Sequence, residues 1–208
     1  MAALTDYATL KASVIAFTGR DDLSALFDTF VTLAESSMYN NEIKPLRVST
    51  LEASTTLQTV GGTNAVALPS AYLNLRSLKL NDGGTECELT YNSPSALQVG
   101  IEGQPLYYTI IGRDLVFDSV PDGVYDLELD YYAKPDQLDA TNDTNVILTN
   151  YPDIYQWGCM SMVYDYTTEP ELAEQFYNKM VRSIKGAMKS DSKGSRPNAA
   201  MRHRGITP

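Results

Sequence analysis

The residues best placed for acid–base chemistry are Asp126, Glu128 and Asp130, which alternate with Tyr125, Leu127, Leu129 and Tyr131. Such alternation is a strand with carboxylates on one face, and two carboxyls can act as acid and base on a glycosidic bond. Residues two apart on a strand stand about 6 to 7 Å apart whatever their role, and a charged stripe opposite an apolar one is also what any solvated sheet presents. The single histidine, His203, lies between Arg202 and Arg204 in a polar tail, and the two cysteines, Cys87 and Cys159, sit in separate apolar contexts. A Ser-His-Asp or Cys-His arrangement needs a rigidly held base, and zinc needs several His or Cys ligands. No glycine-rich loop joins a strand to a helix with a following Lys-Ser or Lys-Thr, as a phosphate cradle requires. The oxygen-rich run Asp139, Asn142, Asp143, Asn145 lacks EF-hand spacing and reads as a polar linker. No catalytic residue, metal or cofactor is therefore expected.

The last twenty residues carry a different chemistry. Lys189, Lys193, Arg196, Arg202 and Arg204 against Asp191 give this tail +4, which leaves −14 on residues 1–188 of a chain whose net charge is −10. Met201 and Ile206 are its only large apolar side chains, too little hydrophobic area to fold alone. It reads as an arm that orders against a partner. Without an aromatic residue for base stacking it suits a protein surface better than a nucleic acid, and an acidic body opposes sequence-specific DNA binding. The candidate partner-binding residues are Lys189, Lys193, Arg196, Met201, Arg202, His203, Arg204 and Ile206.

These groups must be positioned by a chain of 208 residues, 43% hydrophobic and 20% charged, enough for one domain with an insertion. Fourteen tyrosines against one tryptophan suit surfaces that are apolar on one side and wet on the other. No basic-then-apolar leader opens the chain and no run is long enough to span a bilayer. Tyr7, Leu10, Val14 and Phe17 predict a first helix capped by Thr5 and closed by Gly19; Asp21 or Asp22 caps a second with the stripe Leu23, Leu26, Phe27, Phe30, Val31, Ala34, Met38. Strands are predicted at Leu73–Leu80, Thr85–Tyr91, Leu106–Ile111, Leu115–Asp118 and Val124–Ala133, with a short helix from Ser93-Pro94 to about Val99. A helix follows Asn150 with Ile154, Trp157, Met160, Ser161 and Tyr164 inward, and another bears Leu172, Phe176, Met180 and Ile184. The expected class is α+β: a helical bundle of N-terminal (1–48) and C-terminal (150–188) helices, an inserted antiparallel β-rich unit (49–149), and an extended basic C-terminal arm (189–208).

Several segments, taken in order, resemble the adaptor, or head-to-tail connector, proteins of tailed bacteriophages. They are Arg20-Asp21-Asp22-Leu23 after an opening helix, with Leu33-Ala34-Glu35; Leu68-Pro69-Ser70-Ala71-Tyr72-Leu73 with Leu75-Arg76-Ser77-Leu78; Gly103-Gln104-Pro105-Leu106-Tyr107-Tyr108-Thr109-Ile110; Pro121-Asp122-Gly123 leading into Leu127-Glu128-Leu129-Asp130-Tyr131-Tyr132-Ala133; and Leu148-Thr149-Asn150-Tyr151-Pro152-Asp153-Ile154-Tyr155. Their order across residues 4–188 carries the resemblance. It implies a structural virion protein of the neck, assembled in the host cytoplasm and not an enzyme. Its expected partners are the portal, neighbouring adaptor subunits in a twelve-fold ring, and tail or nozzle proteins, with DNA passing through the channel unbound by sequence and no membrane contact. The competing readings are another tail or head-completion subunit, or a cell-wall-degrading enzyme resting on the Asp126, Glu128, Asp130 stripe.

Overall fold

The computed structural model describes residues 3–41, 43–97, 100 and 102–194, without the side chains of the last two. The described residues are mixed α+β, with five α-helices and two four-stranded sheets, and the chain divides into two compact units, one from residues 1–50 and 136–208 and one from 51–135.

In the helical unit, α1 (Tyr7–Thr18) starts at Asp6 rather than Thr5. Asp6 accepts a hydrogen bond from the Thr9 amide at 2.8 Å while the Asp6 amide donates to Thr9 Oγ1 at 3.1 Å, a reciprocal cap that satisfies two otherwise orphaned donors. The second predicted helix begins later than its carboxylates suggest. Asp21–Leu26 is a 3-10 turn in which Asp22 pairs with Arg20 at 2.9 Å, and α2 (Phe27–Tyr39) follows. Asn145 caps a five-residue α3 (Val146–Asn150), accepting from the amides of Ile147 and Leu148. Pro152 then opens α4 (Pro152–Tyr166), where its missing N–H costs nothing.

Helix α4 is the hub, packing against α1, α2, α3 and α5 (Pro170–Gly194). Its inward stripe is wider than predicted: Ile154, Tyr155, Gln156, Gly158, Cys159, Met160, Ser161 and Val163 are all buried, because a helix with neighbours around it has almost no solvent side. Trp157 and Tyr164 lie half-buried and stack on Phe176 of α5, with centroids 5.8 and 5.3 Å away. The α5 stripe Phe176, Met180 and Ile184 is buried as its spacing implies, widened by Ala173, Val181 and Ala187. No described helix is long and apolar enough to cross a membrane.

In the second unit, β1 (Glu52–Gln58), β8 (Asp126–Ala133), β3 (Tyr72–Asp82) and β4 (Thr85–Glu88) form one antiparallel sheet in that spatial order. The other sheet runs β2 (Ala65–Ala67), β7 (Asp114–Phe117), β6 (Tyr107–Ile111), β5 (Thr90–Tyr91). Inward residues of both sheets share one core, including Leu78, Leu80, Leu127 and Leu129 from the first and Tyr108, Leu115 and Phe117 from the second, so the unit is a sandwich. Gly83 and Gly84 link β3 to β4 with both φ positive, the backbone that a two-residue hairpin demands.

Three expectations change here. The run Thr85–Tyr91 breaks at buried Leu89 and supplies a strand to each sheet. The β5–β6 ladder is parallel, so the insertion is not wholly antiparallel. At Ser93-Pro94 the chain makes a turn, the Ser93 carbonyl accepting from the amides of Ala96 and Leu97, instead of the expected helix, whose end at Val99 lies outside the described residues. The polar stretch after Ala133 groups with the helices from Asp136 onward.

Candidate functional site

The β8 carboxylates stand where alternation places them, with Leu127, Leu129 and Tyr131 in the core and Asp126, Glu128 and Asp130 on the wet face. Register sets rows across that face: Gln58–Asp126–Asn81, Thr56–Glu128–Lys79 and Ser54–Asp130–Ser77. Asp130 accepts from both flanking hydroxyls, Ser54 and, at 2.6 Å, Ser77, and these bonds hold its carboxyl below the usual aspartate range. Gln58 donates to Asp126 at 2.9 Å. The neighbouring recess of about 410 Å³ is lined by Glu52, Ser54, Arg76, Ser77 and Asp130. Arg76, the extra residue where the β3 register shifts, pairs with Glu52 and lies over the Tyr132 ring. Acid–base catalysis on a sugar needs one carboxyl raised so that it can donate a proton. Asp130 is shifted the other way, and cross-strand donors account for the arrangement.

That shift has a testable sign. A carboxyl whose folded pKa is depressed contributes stability above its unfolded value and loses it as pH falls through the folded one. Asp130→Asn should therefore cost about 0.5 kcal/mol at neutral pH, the scale of a solvent-screened group. The gap from the parent chain should begin to narrow below about pH 4 in urea denaturation series, where the unfolded carboxyl takes up its proton, and close only as pH falls through the lower folded value.

The oxygen-rich run beyond Lys134 is folded into the helical unit. Asp139 accepts from the amides of Thr141 and Asn142 at 2.6 and 2.7 Å, which depresses its pKa, and Leu138 is fully buried. Asn145 uses its oxygen for the α3 cap and its amide to donate to Tyr155 Oη at 2.7 Å. These oxygens serve backbone donors. Among the described residues no three His, Cys, Asp or Glu side chains are grouped to hold a metal. Cys159 is wholly buried, and burial followed by the Glu35 charge pushes its thiol far up, away from the nucleophilic thiolate. Cys87 is partly exposed and free.

A polar centre that the sequence pattern does not advertise lies between α2 and α4. Glu35 is 1% exposed; its Oε1 accepts from the Leu138 amide and from Tyr155 Oη, both at 2.9 Å. Burial, then the adjoining Tyr39 and Glu35, keep the Tyr155 phenol protonated well above its ordinary range. One signal for it exists in the sequence: Glu35 sits four residues after Val31 and three before Met38, on the stripe that packs inward.

The cationic end begins on a rigid element. Helix α5 continues through Lys189 to Gly194, so the first six residues of the expected extended arm are helical. Asp191 fastens this end, accepting from the Ser49 amide at 2.9 Å and from the Ser49 hydroxyl. Lys189 is exposed; Lys193 belongs to the helix by its backbone; Arg196, Met201, Arg202, His203, Arg204 and Ile206 lie outside the described residues. Lys179 is committed to the aromatic stack, 4.3 Å from the Phe176 ring centre and 4.9 Å from that of Trp157. Arg182 and Lys185 are exposed on the same helix.

A family model described as SU10 adaptor protein matches residues 5–204. No curated protein matches the chain.

Proposed function

Since the chain belongs to the phage head-tail adaptor family, whose members are structural proteins of the virion neck, we propose that it forms a ring joining the portal to tail or nozzle proteins, with its cationic C-terminal end as the portal-binding arm. The observation that carries this reading is the charge division: +4 on residues 189–208 against −14 on the rest, with the arm rooted in a helix whose end is fastened by Asp191 to Ser49. The composition of residues 195–208 gives too little apolar area to fold alone and suits docking on a partner, and a clasped root fixes where the arm leaves the body. The acidic body suits a channel wall, since negative charge repels phosphate and lets DNA pass without sticking. Assembly takes place in the host cytoplasm, and neighbouring copies complete a ring of twelve.

The test is truncation after Gly194. The shortened chain should fold with stability within about 0.5 kcal/mol of the parent, as surface changes usually do, and should no longer cosediment with purified portal rings. Undiminished portal binding would end the arm's role while leaving family membership intact. Cutting at Ser190 instead removes Asp191 and should lower stability as well, which separates the clasp from the arm.

A further inference from the structure

Helix α5 presents Arg182, Lys185 and Lys189 to solvent at intervals of three and four residues, one stripe about 10 Å long. None forms an ion pair with a described carboxylate. The opposite charge is gathered on the wet face of the β1-β8-β3-β4 sheet. Asp126, Glu128 and Asp130 succeed one another along β8 over about 13 Å. The two cations on that face, Arg76 and Lys79, are already paired with Glu52 and Glu86. Neutral side chains donate to Asp126 and Asp130. Lys79 and Arg76 offset part of the charge of Asp130, and Lys79 part of that of Glu128, but with Glu52 and Glu86 beside them the carboxylates outnumber the two cations and the face stays negative. The chain thus carries a straight row of three cations and a straight row of three carboxylates of closely similar length.

We propose that these two surfaces meet between copies, the α5 stripe of one chain lying on the β8 carboxylate row of the next. A contact between different patches of the same chain is heterologous; it repeats head to tail and closes into a ring when the rotation per copy allows. The inference rests on the reading of the chain as a ring subunit and names the surfaces that such a ring uses. Charge complementarity selects the neighbouring copy as occupant: each chain supplies both halves of the match.

Sedimentation equilibrium of the full chain at increasing salt tests it. Two bodies of net charge −10 repel, so non-specific association would strengthen as salt screens them. A complementary contact gives the opposite sign, tightest at low salt. Arg182→Glu with Lys185→Glu should weaken self-association about tenfold, and Asp126→Lys with Glu128→Lys by a similar factor. All four changes together keep the parent's net charge and should restore association, since the rows are then exchanged. Thermal denaturation checks that each variant is folded. A parent chain that stays monomeric or associates more tightly with salt, a double variant that associates normally, or a folded quadruple variant that stays apart would each overturn the proposal. A phosphate ligand for the stripe is also read directly: loss of duplex DNA binding on reversing Arg182 and Lys185, with self-association unchanged, would overturn it in favour of nucleic acid. Portal cosedimentation is scored separately on the chain truncated after Gly194, so failure of the arm and failure of this contact give different results.

Discussion

Glu35→Ala is expected to destabilise the helical unit by about 3 kcal/mol, read from the midpoint of urea denaturation. The side chain is 1% exposed and its Oε1 receives the Leu138 amide and the Tyr155 hydroxyl. Alanine leaves the Leu138 amide buried without its acceptor and removes the oxygen to which Tyr155 donates, and an unsatisfied buried donor costs its full desolvation. It also opens a void between α2 and α4. Glu35→Gln keeps an oxygen in place and should cost less than half as much. Tyr155→Phe removes one of the donors, so combined with Glu35→Ala it should add little further loss, a coupling that a double-mutant cycle measures. Strictly additive losses would show that the two groups do not act as one centre.

The second large effect is expected at Gly158, where α4 meets two other helices. A Cβ placed there would lie 3.1 Å from Met180 Sδ, 3.2 Å from Ala34 Cβ and 3.3 Å from Met38 Cε. The methionine ends can yield, but Ala34 Cβ is fixed to the α2 backbone. Alanine would strain this packing while gaining about 1 kcal/mol of helix propensity, so Gly158→Ala should change stability by about 1 kcal/mol or less. Gly158→Val adds two further carbons with no space for them and should cost about 3 kcal/mol. Met180→Ala makes room on one side, and in the Gly158→Val background its own penalty should shrink. A valine variant as stable as the parent would mean that α2 and α4 separate more easily than their burial indicates.

The parts of the fold legible in the sequence are those where one face meets water. β8 alternates because Asp126, Glu128 and Asp130 are wet while Leu127, Leu129 and Tyr131 pack inward, and the α5 stripe repeats because the rest of that helix is exposed. β1 gives no such signal because Glu52–Gln58 is an edge strand of small and hydroxylated residues in which Leu57 is the one large apolar side chain. Ser93-Pro94 has the signature of a helix start but forms only a turn, since local chemistry fixes the first hydrogen bonds of a helix and not its continuation. The stretch after Lys134 resembles a linker because a single buried leucine, Leu138, anchors it, and one residue makes no period. Glu35 is hidden by its charge: polarity argues against a place on the inward stripe, whereas a carboxylate with two donors in reach can be buried there. Of the candidate arm, the charge contrast is plain in the sequence. The continuation of α5 through Lys189 is not, because Ser190-Asp191-Ser192 resembles a helix end until Asp191 reaches Ser49.

The order of synthesis meets the discontinuity of the helical unit. Helix α2 ends at Tyr39 and its partner α4 begins at Pro152, so more than a hundred residues leave the ribosome between them, about ten seconds of translation. Throughout that interval Phe27, Phe30, Val31 and Met38 have no α4 to cover them, while residues 51–135, continuous in sequence, already hold everything their own core requires. The β sandwich can therefore close on the nascent chain first. The leading helices wait as a sticky amphipathic pair, the stage at which a chaperone has most to protect.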